Sequence, residues 1–152
     1  MQDSVDGLPD HLNEDALIAA FPNWSTDQFA EALAEDDYVS LTHTISGRLP
    51  RVHVGADLFL TFDPICMESD PIADALQLIR LILDKDSVDV PALHAESQMS
   101  LRRFNPAIGM IIAEIGEGRV SEAYVERYPA PYFFIVDSDR VAIKRLARRL
   151  EG

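Results

Sequence analysis

The chain lacks several features that define whole classes of protein. It has one cysteine, Cys66, among its 152 residues, so no disulfide can form within the chain and export to an oxidising compartment is not expected. No apolar run approaches the roughly 18 residues that a membrane helix needs. The first residues lack the basic start and the apolar run of a signal peptide. These absences predict a soluble cytoplasmic protein.

Lysine and arginine are absent from the first 47 residues, which carry ten aspartates and glutamates. The whole chain has 26 acidic and 13 basic residues, and its formal net charge is −13. Phosphate contacts require clustered lysine and arginine, so nucleic-acid binding and binding to anionic membranes are disfavoured. Basic protein surfaces remain the favoured class of partner, although acidity also serves plain solubility.

Known catalytic motifs are missing as well. The sequence has no G-x-S-x-G elbow, no Walker loop and no H-E-x-x-H. His94–Glu96 begins like a zinc-deaminase signature, but the cysteine pair that should follow is missing. His43 and His53 lie on consecutive predicted strands without a third ligand for zinc. Cys66 has acidic neighbours that disfavour a thiolate, so we expect a small buried apolar residue. The sequence predicts no catalytic residue, no metal site and no cofactor.

Two helix starts carry clear capping signals. Ser25 and Gln28 have the spacing of a capping box, which predicts a helix that ends near Glu35–Asp37. Asp70 followed by Pro71 combines an N-cap with a proline at the first helical position.

The apolar residues after Pro71 have helical spacing, and Leu78 and Leu81 widen their arc. So wide an arc predicts burial on two sides, either within the chain or across a homodimer interface that includes these two leucines.

Three segments between residues 38 and 62 favour strands. Val39–Ile45 alternates apolar and polar residues, and Arg51–Val54 and Leu58–Phe62 follow after short turns. Sequential strands with short connections pair antiparallel, so a three-stranded meander is expected.

The remainder of the chain alternates between predicted strands and helices. We expect strands at Glu96–Arg103 and Tyr132–Val136. Asn105 and Pro106 repeat the cap-plus-proline start for a helix ending at Gly116, although its isoleucines leave a strand as the alternative. Ser138 is the expected cap of the last helix.

The fold prediction is therefore a single α+β domain over residues 1–152. It has a central antiparallel sheet, made of the meander and later strands, with flanking helices. Residues 1–12, which are acidic and contain glycine and proline, are expected to be a flexible N-terminus.

The predicted function is that of a non-enzymatic, acidic protein-binding module with a basic partner protein. A secretion chaperone or adaptor, or an immunity-type inhibitor, would have this character. In size, acidity and mixed helix–strand build the chain resembles the secretion chaperones of bacterial type III systems, at the level of class and without a shared motif. The candidate partner-binding residues are Asp27, Glu31, Glu35, Asp36 and Asp37.

Two alternatives stay open at this point. A small enzyme with an unrecognised carboxylate or histidine site is the first. The second is a DNA mimic, or a nucleic-acid-associated regulator that uses the basic C-terminal helix, where Arg140, Lys144 and Arg148 recur at helical spacing.

Overall fold

The computed structural model of the chain describes residues 6–8, 11–12, 15, 18–19, 22–33, 39–42, 51–54, 56–67 and 69–152. The chain divides into two compact units. The N-terminal unit is Pro9–Leu58, and the C-terminal unit consists of Met1–Leu8 together with Phe59–Gly152. The prediction of one domain over the whole chain stays a prediction.

Helix α1 of the N-terminal unit, Thr26–Leu33, begins with the predicted capping box. The Ser25 amide donates to Gln28 Oε1 at 2.9 Å, and the Gln28 amide donates to Ser25 Oγ at 3.3 Å. These two bonds satisfy amides that have no acceptor inside the helix. The capping prediction is confirmed.

The sheet of the N-terminal unit has three antiparallel strands, β1 (His11–Leu12), β2 (Val39–Thr42) and β3 (Arg51–Val54). Strand β3 lies in the middle, with Leu41 opposite Val52 on one side and His11 opposite His53 on the other. The predicted meander is wrong, because its third strand is supplied by β1 and not by Leu58–Phe62. His43 lies outside the described residues.

Leu58–Phe62 lies instead in helix α2, Ala56–Cys66. The segment is a continuous apolar run rather than a strict alternation, and such short runs fit either a strand or a helix. A helix places Phe59 and Asp63 one turn apart, and both are 2% exposed. Cys66, at the end of α2, is free and exposed, so the prediction of a buried cysteine is wrong.

The C-terminal unit is mostly helical, and in its described residues the one sheet has two antiparallel strands. The predicted fold of a central sheet with flanking helices is therefore wrong. Apolar side chains from all of its helices after α2 and from both strands form a single core. Its elements after α2 are α3 (Pro71–Ile82), β4 (Ser87–Asp89), α4 (Val90–Ser97), α5 (Leu101–Ile112), β5 (Tyr132–Phe134) and α6 (Asp137–Glu151).

Helix α3 begins as predicted, since Asp70 Oδ1 accepts the Ala73 amide at 2.9 Å and Pro71 is the first helical residue. The helix packs against α4, α5 and α6, which explains its wide apolar arc by burial within the chain. Leu78 has no exposed surface, and Leu81 is partly buried against the same core.

The predicted strand Glu96–Arg103 is wrong. Its residues end α4 and begin α5, with a turn between them in which Gln98 has a left-handed backbone (φ 58°). Helix α4 starts with a similar signal, because Asp89 Oδ1 accepts the Ala92 amide at 2.8 Å and Pro91 is the second helical residue. Met99 lies in that turn and Leu101 is the first residue of α5, so the two apolar residues of the predicted strand belong to a helix boundary.

Asn105 and Pro106 do not start a helix. They lie inside α5, and both are buried. Asn105 uses its side chain for tertiary contacts rather than for capping, so this boundary prediction is wrong. Pro106 has no N–H and cannot donate to the Arg102 carbonyl, which weakens the helix locally but allows another chain segment to approach.

Helix α6 starts two residues earlier than predicted, and Ser138 lies in its first turn. The side chain that closes this start is Asp139, whose Oδ2 accepts the Val136 amide at 3.1 Å. Ile143 and Leu146, one turn apart on this helix, lie in the core. No helix in the described part of the chain is long and apolar enough to cross a membrane.

Candidate docking surface

Two of the predicted partner-binding residues, Asp27 and Glu31, are exposed on helix α1. They stand one helical turn apart, so they lie on the same side of the helix. Glu35, Asp36 and Asp37 lie outside the described residues.

Three aspartates of the C-terminal unit are buried, and the sequence analysis singled out none of them. Each is 2% exposed, and a buried carboxylate is costly unless a cation and hydrogen bonds compensate it. Each is paired with an arginine, so these acids belong to the fold rather than to a binding surface. The pairs are Asp63–Arg102, Asp74–Arg103 and Asp139–Arg119, with N–O distances of 2.6, 2.5 and 2.6 Å.

Asp139 is the most fully bonded of the three. The Arg119 guanidinium donates to both of its oxygens, at 2.7 and 2.6 Å, and the amides of Gly116 and Val136 each donate at 3.1 Å. Arg119 holds the pKa of Asp139 below its ordinary value, and the two amides act in the same direction while burial opposes them. Asp139 thereby ties helix α6 to the turn that follows α5.

Gly116 makes room for this pair. A Cβ atom on Gly116 would lie 1.7 Å from Arg119 Nη2, well inside contact distance. The Arg119 guanidinium lies over the Gly116 backbone, so a side chain at this position would have to displace the guanidinium from Asp139.

Most cations of the C-terminal unit are committed in this way. Lys85 pairs with Glu96 at 2.6 Å, Arg140 with Asp86 at 2.5 Å, and Arg149 with Glu114. Three exposed cations on α6 have no ion pair with a described residue, and three are few for a nucleic-acid footprint. They are Lys144, Arg145 and Arg148.

A pocket of about 460 Å³ opens between the starts of α3 and α5, and Ser100, Arg102, Arg103 and Asp70 are among its lining residues. Both arginines already pair with buried aspartates, and Asp70 adds a further carboxylate. The pocket therefore has no surplus positive charge with which to bind an anion.

His94 is the one histidine whose side chain is described in the C-terminal unit, and its contacts are structural. Its Nε2 lies 2.9 Å from the Met99 carbonyl, which can only accept, so Nε2 carries the proton. In the neutral ring Nδ1 then accepts from the Tyr128 hydroxyl at 3.0 Å. Among the described residues no group of three metal-ligating side chains comes together.

One surface of the C-terminal unit stands out by its chemistry. Tyr132, Phe134 and Val136 alternate along β5 and its extension, and they are 44%, 50% and 43% exposed. Phe133 and Ile135, between them, point into the core. The two rings stack edge to face, with centroids 5.6 Å apart and planes at 71°. We name Tyr132, Phe134 and Val136 the aromatic face.

Three exposed aspartates lie at the two ends of the aromatic face. Asp89 stands opposite Tyr132 in the β4–β5 register. The Asp86 carbonyl accepts the Ile135 amide at 2.9 Å, which places Asp86 beside the far end of β5, and Asp137 directly follows Val136. Arg140 pairs with Asp86 and with Asp137, so these two carboxylates share one cation, while the third, Asp89, accepts the Ala92 amide as the cap of α4. We name Asp86, Asp89 and Asp137 the aspartate rim.

Strand β5 cannot recruit a further strand easily, because both of its edges are used. Strand β4 pairs with one edge, and on the other the Ser121 amide donates to the Tyr132 carbonyl at 3.0 Å. Binding at this surface would use side chains rather than strand addition.

The sequence predicts a strand at Tyr132–Val136 but not its aromatic face. All five residues are apolar, and the alternation of burial is invisible in such a run. No family model, curated protein or solved structure matches the chain.

Proposed function

We propose that the chain is a non-enzymatic protein-binding module that docks a basic partner on the aromatic face. The observation that carries this proposal is the pair of half-exposed stacked rings inside the aspartate rim. Aromatic side chains dominate the energy of protein interfaces, and surrounding charges select the partner and speed its approach.

The aspartate rim favours a basic partner over a second copy of the chain. A two-fold contact between two copies would bring the same surface of each together, and with it the aspartates of both rims. Like charges across an interface oppose association. Lysine or arginine on a partner would instead pair with the carboxylates and make cation–π contacts with the two aromatic rings.

The acidic N-terminal region supports the same partner class. Asp27 and Glu31 are exposed on α1 and form no ion pair with a described residue, so their charge is available to attract a cationic protein. We assign to them, and to Glu35, Asp36 and Asp37, the role of accelerating encounter rather than of holding the complex.

A role as a secretion chaperone or adaptor, or as an immunity-type inhibitor, would fit such a module, and we place it in the cytoplasm. An enzyme is the less supported interpretation, because the side chains of His94 and of the paired aspartates serve the fold. The homodimer stays a prediction, and Leu78, which lies wholly in the core, is not available to its interface.

Selection of random displayed peptides on the immobilised protein tests the proposal and does not require the natural partner to be identified first. We expect the enriched peptides to combine arginine or lysine with apolar residues. Binding of a selected peptide should be lost in the variant Tyr132→Ser/Phe134→Ser and retained in Tyr124→Ser. Tyr124 is the matched control, because it is also an aromatic residue and is 90% exposed.

Acidic or neutral selected peptides would contradict the proposal, and so would equal binding by the two serine variants. Light scattering tests whether a second copy of the chain, rather than a different protein, covers the aromatic face. A species of about twice 16.9 kDa that the Tyr132→Ser/Phe134→Ser substitution converts to the monomer would show that the chain covers this face itself.

A further inference from the structure

The segment Asp6–Leu8 is built into the C-terminal unit although it is distant from it in sequence. Gly7 is buried and has a left-handed backbone with φ 63°. A Cβ atom at this position would lie 2.6 Å from the Arg102 carbonyl oxygen and 2.9 Å from Pro106 Cδ. Both the conformation and the close approach require glycine.

The approach is possible because of Pro106. Arg102 is four residues before Pro106 in helix α5, and its carbonyl lacks the usual helical donor because proline has no N–H. The backbone of Gly7 lies against this interrupted turn. A feature that looks unfavourable for the helix is therefore a receiving site for another segment.

Asn105, next to Pro106, holds two segments at once. Its Nδ2 donates to the Asp6 carbonyl at 2.6 Å and to the Arg127 carbonyl at 2.9 Å. The residue is 2% exposed, so loss of these bonds would leave a buried amide without partners. Asn105 thus joins the N-terminal segment to the long connection between α5 and β5.

Arg127 completes the site from that connection. Its Nη2 donates to Asp6 Oδ1 at 2.9 Å, and its backbone is also left-handed, with φ 70°. A non-glycine residue in this conformation is strained, and the Asn105 bond to its carbonyl helps to hold it there. The Asp6 carboxylate in turn raises the pKa of Arg127, chiefly through the side-chain hydrogen bond.

We propose that Asn105, Pro106 and Arg127 form a recognition site for an acidic residue followed by glycine, and that Asp6 and Gly7 of the same chain occupy it as a releasable latch. Arg127 binds the carboxylate of the acidic residue, and Asn105 donates to the backbone carbonyl of that residue. The interrupted turn at Pro106 leaves room only for glycine at the next position. The latch opens and closes locally while the core of the unit stays folded. It is independent of the proposed docking function, because none of its contacts involves the aromatic face.

Cleavage by endoproteinase Asp-N at the Val5–Asp6 bond measures how often the latch is open. Proteolysis of a transiently open segment follows the population of the open form, so Arg127→Gln and Gly7→Ala should each raise the cleavage rate of the full chain by about tenfold. The matched controls are Arg148→Gln, an exposed arginine of α6, and Gly109→Ala, where a Cβ would meet nothing within 4 Å. Neither control should change the rate.

A competition experiment on the unmodified chain keeps the proposal testable if a variant fails to fold. An excess of the N-acetylated synthetic peptide of residues 6–9, which contains no bond that Asp-N cleaves, should occupy the site in trans and speed cleavage of the chain at Val5–Asp6. The same peptide with Gly7→Ala should have no effect. Unchanged cleavage with the peptide, or with both latch variants folded, would overturn the proposal. A dimer that Arg127→Gln converts to a monomer would overturn the intramolecular form of the latch, because the segment would then come from a second copy.

Discussion

Acidic residues serve different purposes in two regions of this chain. In the C-terminal unit Asp63, Asp74 and Asp139 are buried and each has an arginine within hydrogen-bond distance. Residues 1–47 contain no lysine or arginine, and their exposed acids Asp27 and Glu31 form no ion pair with a described residue. The comparison teaches that net charge alone says little about function, because the acids that hold the fold have to be separated from those left for a partner.

The substitution Asp139→Asn should have the largest effect on the paired side of this comparison. It removes the charge that Arg119 compensates and places an amide where donors converge, so we expect a loss of about 2 kcal/mol in the free energy of unfolding, on the scale of a buried unsatisfied group. Urea denaturation measures the loss. Asp137→Asn is the control, because Asp137 lies in the same helical turn and is fully exposed. Equal stabilities of the two variants would contradict a structural role for Asp139.

The Asp139–Arg119 pair should make the free energy of unfolding depend on pH in the acid range. The pKa of Asp139 is lowered in the folded chain, so between its folded value and the ordinary aspartate value of about 3.9 the unfolded state binds more protons. The stabilisation is thus complete above the ordinary value and is lost as the pH falls through the folded value. The difference in unfolding free energy between the unmodified chain and Asp139→Asn should shrink over that interval. A constant difference down to the lowest pH at which both fold would show that ionisation of Asp139 contributes nothing.

Gly116→Ala should act on the same pair with a smaller effect. The added methyl group displaces the Arg119 guanidinium, which can move aside, so a loss of about 1 kcal/mol is expected, similar to that of one hydrogen bond. The loss should disappear in an Arg119→Ala background, where nothing remains to be displaced. A double-mutant cycle measured by urea denaturation checks this. Additive losses would mean that Gly116 is needed for its backbone and not for Arg119.

The double substitution Asp27→Lys/Glu31→Lys tests the exposed acids that form no ion pair with a described residue. It should change the free energy of unfolding least, by no more than about 0.5 kcal/mol, as for other surface substitutions. Its effect should appear in association instead. We expect the rate for a selected basic peptide to fall by about tenfold at low salt, the lower end of electrostatic steering, and the difference to vanish at high salt. Stopped-flow fluorescence gives both values. An unchanged rate at low salt would make these acids a solubility feature.

Local signals predict the parts of the fold that local contacts decide. The Ser25–Gln28 capping box and the Asp70–Pro71 start depend on a few neighbouring residues, and both are present. Leu58–Phe62 is not predictable in the same way, because what favours its helix is the fit of Asp63 to Arg102, 39 residues later in the chain. Tertiary contacts of this kind override a short apolar pattern.

The sites are harder to predict than the elements. Asn105 carries the sequence signature of a cap, yet its side chain bonds to the carbonyls of Asp6 and Arg127, which no local pattern reveals. Tyr132 and Phe134 are predictable as strand residues, but their exposure depends on which face of β5 meets the core. Burial and pairing separate the residues that serve the fold from those that stay available.

The binding affinity of a selected basic peptide for the Tyr132→Ser/Phe134→Ser variant tests the central claim most directly. Fluorescence anisotropy measures it, with the melting temperature recorded to show that the variant is folded. We predict that the double substitution weakens the free energy of binding by at least about 2 kcal/mol, the size of an interface hot spot. The Tyr124→Ser variant should bind as the unmodified chain does. Unchanged affinity in the folded double variant would contradict the assignment of the aromatic face as the docking surface.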